Sequence, residues 1–166
     1  MRAVFVTPLC ALSLVLSGVV GGLTPAPAEA QATFAATVGA GYAAADPDGS
    51  GALTAALELN GAGRFGLRAV ATRAVDAVFT TAEARLDLET GVSLFVPYLM
   101  AGGGVAFRSG TEHGVLAAGG GLRTRVNARI DLFAEARLLA VSNQEARDHP
   151  VPMVGGVRIR LGSAAR

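Results

Sequence analysis

The side chains best placed to do chemistry in this chain are carboxylates and guanidiniums set two residues apart. Glu83, Arg85, Asp87 and Glu89 alternate with Ala84, Leu86 and Leu88, and Asp131, Glu135 and Arg137 alternate with Leu132, Ala134 and Ala136. Arg123 with Arg125, and Arg158 with Arg160, repeat the interval. Such spacing puts side chains on one face of a β-strand. Together with Glu58 and Arg68, these faces hold seven guanidiniums (Arg68, Arg85, Arg123, Arg125, Arg137, Arg158, Arg160) against six carboxylates (Glu58, Glu83, Asp87, Glu89, Asp131, Glu135). Signs this closely balanced suit mutual ion pairing.

Other groups make weaker cases. Asp46-Pro47-Asp48-Gly49-Ser50-Gly51 resembles the start of a calcium loop, with oxygens at alternate positions, but Leu57 stands where the bidentate Glu belongs and Glu58 comes one step late. It reads better as a polar hairpin loop. His113 and His149 have no metal-ligand spacing, so no metal site is assigned. Ser142, Glu145 and His149 are the residue types of a nucleophile, acid and base set, yet no G-x-S-x-G elbow accompanies them. No catalytic residue is assigned. Gly102–Gly104 and Gly119–Gly121 lack the following Lys-Ser or Lys-Thr helix of a phosphate loop and fit close strand approach or bulges. No cofactor is expected.

The elements that must position these residues begin after residue 30. Met1-Arg2 is a positive start, Ala3 to Gly22 is apolar, and Ala28-Glu29-Ala30 has the small-x-small form of a cleavage site, so residues 1–30 read as a signal peptide. Gly18, Gly21, Gly22, Pro25 and Pro27 argue against a membrane-anchoring helix. Cys10, the only cysteine, lies within this segment, leaving residues 31–166 as one exported domain without disulfides. All 14 basic residues are arginine, against 13 acidic ones. That near-neutral balance excludes nucleic acid as a natural partner. The absence of lysine fits desolvated pairing, for which arginine is suited, and equally fits nucleotide bias in the genome.

Period-two patterning predicts eight strands: Ala32–Tyr42, Leu53–Asn60, Phe65–Thr72, Ala82–Glu89, Val92–Met100, Leu116–Arg125, Arg129–Val141 and Met153–Leu161. Arg129–Val141 alone also fits a helical stripe, and the strand follows from its seven neighbours. Pro97 requires a bulge or a strand end. Asp46–Gly51, Arg73–Thr81, Arg108–His113 and Ser142–Pro150 read as long connections, and Asn60–Gly63, Thr90-Gly91 and Asn127-Ala128 as short turns. Strands of roughly ten residues with such lopsided connections fit an outer-membrane barrel.

Alternation alone leaves the inner face open. A soluble exported barrel binding a small apolar ligand would turn the charges outward; a membrane barrel would turn them inward. Ala32, Ala36, Ala40, Ala69, Ala71, Ala82, Ala84, Ala134 and Ala136 make the apolar faces small, which fills a soluble core poorly but suits conforming lipid tails. The inward arrangement is therefore preferred. An eight-stranded barrel is just wide enough for side chains to fill, so the charges form a plug.

The runs Pro97-Tyr98-Leu99-Met100-Ala101-Gly102-Gly103-Gly104, Gly119-Gly120-Gly121-Leu122-Arg123, Leu132-Phe133-Ala134-Glu135-Ala136-Arg137 and Gly155-Gly156-Val157-Arg158-Ile159-Arg160-Leu161 resemble the small outer-membrane barrels of the OmpA, OmpX and opacity-protein family. The resemblance implies an all-β, eight-stranded, antiparallel up-and-down transmembrane barrel, and it assigns inner-face pairing to Glu135 and Arg137. It further implies the outer membrane of a Gram-negative-type bacterium, with outer-membrane lipid and the barrel-assembly machinery as partners. Leu161 stands where that family ends on an aromatic residue, and the aromatic girdles are thin, with no Trp and two Tyr.

The expected lumen network comprises Arg68, Glu83, Arg85, Asp87, Glu89, Arg123, Arg125, Asp131, Glu135, Arg137, Arg158 and Arg160. The expected role is structural or surface-interacting and non-enzymatic, through four long loops and an extracellular partner that the sequence does not name. The alternatives are the soluble ligand-binding barrel and a lipid-modifying outer-membrane enzyme. Cleavage after Ala30 predicts an exported protein that begins at Gln31. Its intact mass checks this, and retention of Met1 would contradict it.

Overall fold

A computed structural model describes residues 32–44, 50–61, 63–88, 94–142 and 149–163. They form eight strands, β1 Thr33–Ala44, β2 Ser50–Asn60, β3 Phe65–Ala74, β4 Ala77–Asp87, β5 Val96–Arg108, β6 Thr111–Arg125, β7 Ile130–Val141 and β8 Val151–Ser163. Each strand pairs antiparallel with the next in sequence, and β8 pairs with β1 to close the barrel. Closure removes the sheet edges that an open sheet would leave unpaired. The expected signal peptide, Cys10, Asp46, Asp48, Glu89 and Glu145 lie outside the described residues.

The strands point their charges inward. Along β7, Asp131, Phe133, Glu135, Arg137, Leu139 and Val141 are buried, while Leu132, Ala134, Ala136 and Leu138 are exposed. The other strands place large apolar residues outside in the same way, among them Leu53, Phe65, Leu99, Leu116, Leu122, Met153 and Ile159. A soluble barrel with its charges outside is thereby excluded.

The interior has two tiers. The charged tier lies towards the end where β1 begins, β8 finishes and β2–β3, β4–β5 and β6–β7 are joined; we refer to it as the turn end. Towards the opposite end the same inner faces become apolar, with Phe79, Val115, Leu139, Val141 and Val154 packed together with small alanines. Glycine makes room for the largest inner rings. A Cβ on Gly121 would come within 2.6 Å of Tyr98 Cζ, and one on Gly156 within 2.8 Å of Phe133 Cε1. Gly102 and Gly104 instead allow close strand approach, since a Cβ there would meet the carbonyls of Ala82 and Thr80 on β4.

The connections differ from the expected lopsided set. Arg73–Thr81 is no long loop, because β3 runs to Ala74 and β4 starts at Ala77. The turn is only Val75-Asp76, with Val75 at φ 56° and its N–H donating to Ser50 Oγ at 2.8 Å. Arg108–His113 is likewise a hairpin around Ser109-Gly110, whose φ values of 50° and 82° are the two left-handed residues of a tight two-residue turn. Thr90-Gly91, expected as a short turn, lies outside the described residues. For the first the physical reason is the apolar tier. Where Ala74, Ala77 and Phe79 face inward, the contrast between a polar inner and an apolar outer face that marks a strand disappears.

β5 holds a second difference, since its apolar run continues inward at Tyr98 and Met100, both buried. Pro97 sits at the second position of β5, and its carbonyl accepts the Leu88 N–H at 2.8 Å. Gly121→Val should force Tyr98 aside and lower stability by ~1–3 kcal/mol through overpacking. A urea midpoint equal to that of the parent protein would contradict this packing.

Candidate functional site

The candidate site is the charged tier, built from strands on all sides of the lumen. Glu135 on β7 and Arg68 on β3 meet across the barrel, with Arg68 Nη1 donating to Glu135 Oε2 at 2.8 Å and Nη2 to Oε1 at 3.1 Å. This two-pronged geometry matches the planar fork of arginine to a carboxylate. Tyr98 Oη donates to Glu135 Oε2 at 3.0 Å, and Arg68 Nη1 also reaches Met100 Sδ at 3.5 Å.

Arg137 closes the upper side of this cluster. Its Nη1 pairs with Glu83 Oε1 at 3.3 Å, while Nη2 donates to Thr72 Oγ1 at 2.7 Å and Thr54 Oγ1 at 3.0 Å. Thr81 Oγ1 donates to Glu83 Oε1 at 2.7 Å. Arg137 is 1% exposed, so these partners replace nearly all its water. The Glu135–Arg137 pairing implied by the family resemblance is present at 3.3 Å, but the two-pronged partner of Glu135 is Arg68.

A second cluster lies nearer the turn end and centres on Glu58. Its Oε2 receives Arg85 Nη1 at 2.5 Å and Arg158 Nε at 2.7 Å, and its Oε1 receives Thr37 Oγ1 at 2.9 Å. Arg158 Nη1 continues to Asp131 at 2.6 Å, which also receives Arg160 Nη2 at 2.6 Å. Arg85 Nη2 donates to Asn60 Oδ1 at 2.5 Å, its Nε faces Asp87 at 3.1 Å, and its guanidinium lies 5.7 Å from the Tyr98 ring centre. Arg123 Nη2 completes the chain at Asp87 Oδ2, 2.8 Å away. Three guanidinium Nε atoms, on Arg68, Arg85 and Arg137, sit within pairing distance of carboxylates without hydrogen-bond alignment.

Ten of the expected residues thus meet in one interior. Arg125 does not. It lies exposed at the end of β6, beyond the point where the barrel wall encloses its inner face, and it has no ion pair among the described residues. Glu89 lies outside the described residues. The sequence reading counted Glu58 on the charged faces without naming it in the network, and it left out Thr37, Thr54, Thr72, Thr81, Asn60, Tyr98 and Met100. For Thr72 beside Arg68, Thr81 beside Glu83, and Thr54 and Asn60 beside Glu58 the signal was parity, whereas Thr37 stands on β1, which carries no charged residue.

The side chains fill the space they enclose. A cavity of about 10 Å³ remains between Thr37, Glu58, Arg85, Tyr98, Arg123, Phe133, Glu135 and Arg158, on the order of a single water. No cluster of metal-binding side chains adjoins it among the described residues. Ser142 is exposed, and His149 Nδ1 accepts the Val141 N–H at 3.4 Å, so His149 is held by backbone. Removing one partner of a buried pair strands the other, which costs about 3–5 kcal/mol. Glu135→Ala should show that loss in its urea midpoint, while Glu112→Ala, at an exposed position, should change little. Equal midpoints for the two variants would contradict the network.

No family model matches the chain, and neither does any curated protein. Solved structures do. Neisserial surface protein A is 16% identical, with 78% of this chain and 96% of that chain covered and a TM-score of 0.54. The N-terminal β-barrel domain of Pseudomonas aeruginosa OprF is 13% identical, with 78% and 97% covered and a TM-score of 0.57. A de novo designed transmembrane β-barrel is 17% identical, with 78% and 95% covered and a TM-score of 0.58. The chain therefore has the fold of the small eight-stranded barrels, the fold that its resemblance to OmpA, OmpX and the opacity proteins implies.

Proposed function

We propose that the chain is an integral outer-membrane β-barrel that is non-catalytic and has a plugged lumen. One observation carries the reading: the ion pairs are buried inside while large apolar side chains cover the outside. In water that wall would be an unusually large exposed apolar surface, whereas lipid tails solvate it. Strands of 10 to 15 residues are long enough to cross a bilayer at a tilt.

Met1–Ala30 would direct export, and the barrel-assembly machinery would insert the chain. The protein would then serve as a structural or surface-contact element. Its contacts would fall on the connections from Ala44 to Ser50 and from Val141 to Val151, because the other two connections at that end are two-residue turns.

The test is fractionation followed by gel mobility. The protein should sediment with outer membranes and migrate differently boiled and unboiled, and the purified barrel should give no stepwise conductance in planar bilayers. A soluble periplasmic protein with one mobility would overturn the membrane assignment, and regular conductance steps would overturn the plug.

A further inference from the structure

The charges at the turn end are unevenly distributed. Among the described residues that rim carries Arg64, Arg123, Arg125, Arg129 and Arg160, against Asp87 and Asp131. Both carboxylates are already engaged, Asp87 with Arg85 and Arg123, and Asp131 with Arg158 and Arg160. The exposed side chains of Arg125 and Arg129 therefore meet no carboxylate among the described residues. Arg64 is exposed on the turn between β2 and β3, which the strand order places on the opposite side of the barrel.

The turn that carries Arg129 is fixed in shape. Asn127 Oδ1 accepts the N–H groups of Arg129 and Ile130 at 2.8 and 2.9 Å, and the Ile130 carbonyl accepts those of Val126 and Asn127 at 3.0 and 3.2 Å. The Arg129 carbonyl accepts the Arg160 N–H at 2.8 Å, which ties the turn to β8. The backbone that carries Arg129 is thus held in place before any partner arrives.

Two of the cations also adjoin exposed apolar side chains. Arg64 precedes Phe65, which is 69% exposed, and Arg125 precedes Val126, which is 57% exposed. Positive charge next to exposed apolar side chains at the rim matches the boundary between lipid phosphates and acyl chains. A free anion would match the charge but not the adjoining apolar surface.

From this we infer that Arg125 and Arg129, with Arg64 across the rim, form a cationic collar that binds the phosphates of anionic lipid at the turn end of the barrel. The inference rests on the membrane reading above and adds a lipid class and an end to it. Near an anionic surface, an exposed arginine contributes roughly fivefold in equilibrium terms.

The experiment uses protein purified from membranes and reconstituted into phosphatidylcholine vesicles, with or without phosphatidylglycerol. Urea unfolding is followed by the boiling-dependent gel shift. Phosphatidylglycerol should raise the folded-to-unfolded ratio of the parent protein. That gain should shrink by about fivefold per arginine in Arg125→Gln/Arg129→Gln, and further with Arg64→Gln. It should also fade at high salt. Arg73→Gln loses the same charge at an exposed site on the opposite end, and a loss of the gain in this variant but not in the collar variant would overturn the assignment to the turn end.

An unchanged gain in the collar variant would overturn the collar while leaving the barrel in its membrane. A parent protein that shows no folded band in either vesicle would overturn the membrane reading instead. Equal stabilisation by inorganic phosphate in phosphatidylcholine alone would overturn the assignment to lipid.

Discussion

The structure depends on the cost of placing guanidiniums and carboxylates inside a closed barrel. A charge taken out of water is tolerated only where its partners replace the lost hydration, and in this lumen they do so in chains. Arg68, Glu135, Arg137 and Glu83 form a closed circuit, and Arg85, Glu58, Arg158 and Asp131 form an open chain. Such pairing contributes little net stability compared with an apolar core. What it does impose is register. A one-residue slip of β7 would send Glu135 and Arg137 to the outer wall and bring Ala136 and Leu138 inside. The charged tier therefore selects one strand pairing and, with it, which surface remains outside.

That outer surface carries the functional consequence. The inner face holds what water would solvate, so the outer face is left with Leu, Ile, Phe and Ala. Glycine opposite Tyr98 and Phe133 lets the interior close around its largest rings. The resulting cylinder is filled rather than hollow, which is the basis for proposing a membrane barrel without a pore. Any recognition then falls to its two ends, which differ in character. One has engaged carboxylates beside the exposed Arg125 and Arg129, and the other has tight hairpins and an apolar plug.

Much of this was legible in the residues. Alternation through Glu83–Asp87, Asp131–Arg137 and Arg158–Arg160 identified strands and the face that holds the charges, because a polar inner face against an apolar outer one is a period-two signal. Legibility failed where that contrast failed. Ala74, Ala77 and Phe79 face inward and are apolar, so β3 and β4 looked shorter than they are and their tight turn looked like a long loop. A β-branched Val75 in the left-handed region gave no compositional hint of a turn. Tyr98 and Met100 were read with an apolar run because the hydroxyl and the sulfur reveal their partners only once β3 and β7 are brought across the lumen. Arg125 kept the right parity but lies past the enclosing wall, a fact of strand length that periodicity does not encode.

The central claim is that one face of each strand meets lipid and the other meets the ion-pair network. Collisional quenching tests it most directly. In a Cys10→Ser background, single cysteines along β7 from Leu132 to Leu138 would carry a fluorophore in reconstituted vesicles, read against a quencher confined to the acyl-chain region. Labels at Leu132, Ala134, Ala136 and Leu138 should be quenched strongly, and a label at Phe133 should be shielded. Uniform quenching along the strand, or strong quenching at Phe133 with shielding at its neighbours, would contradict the account.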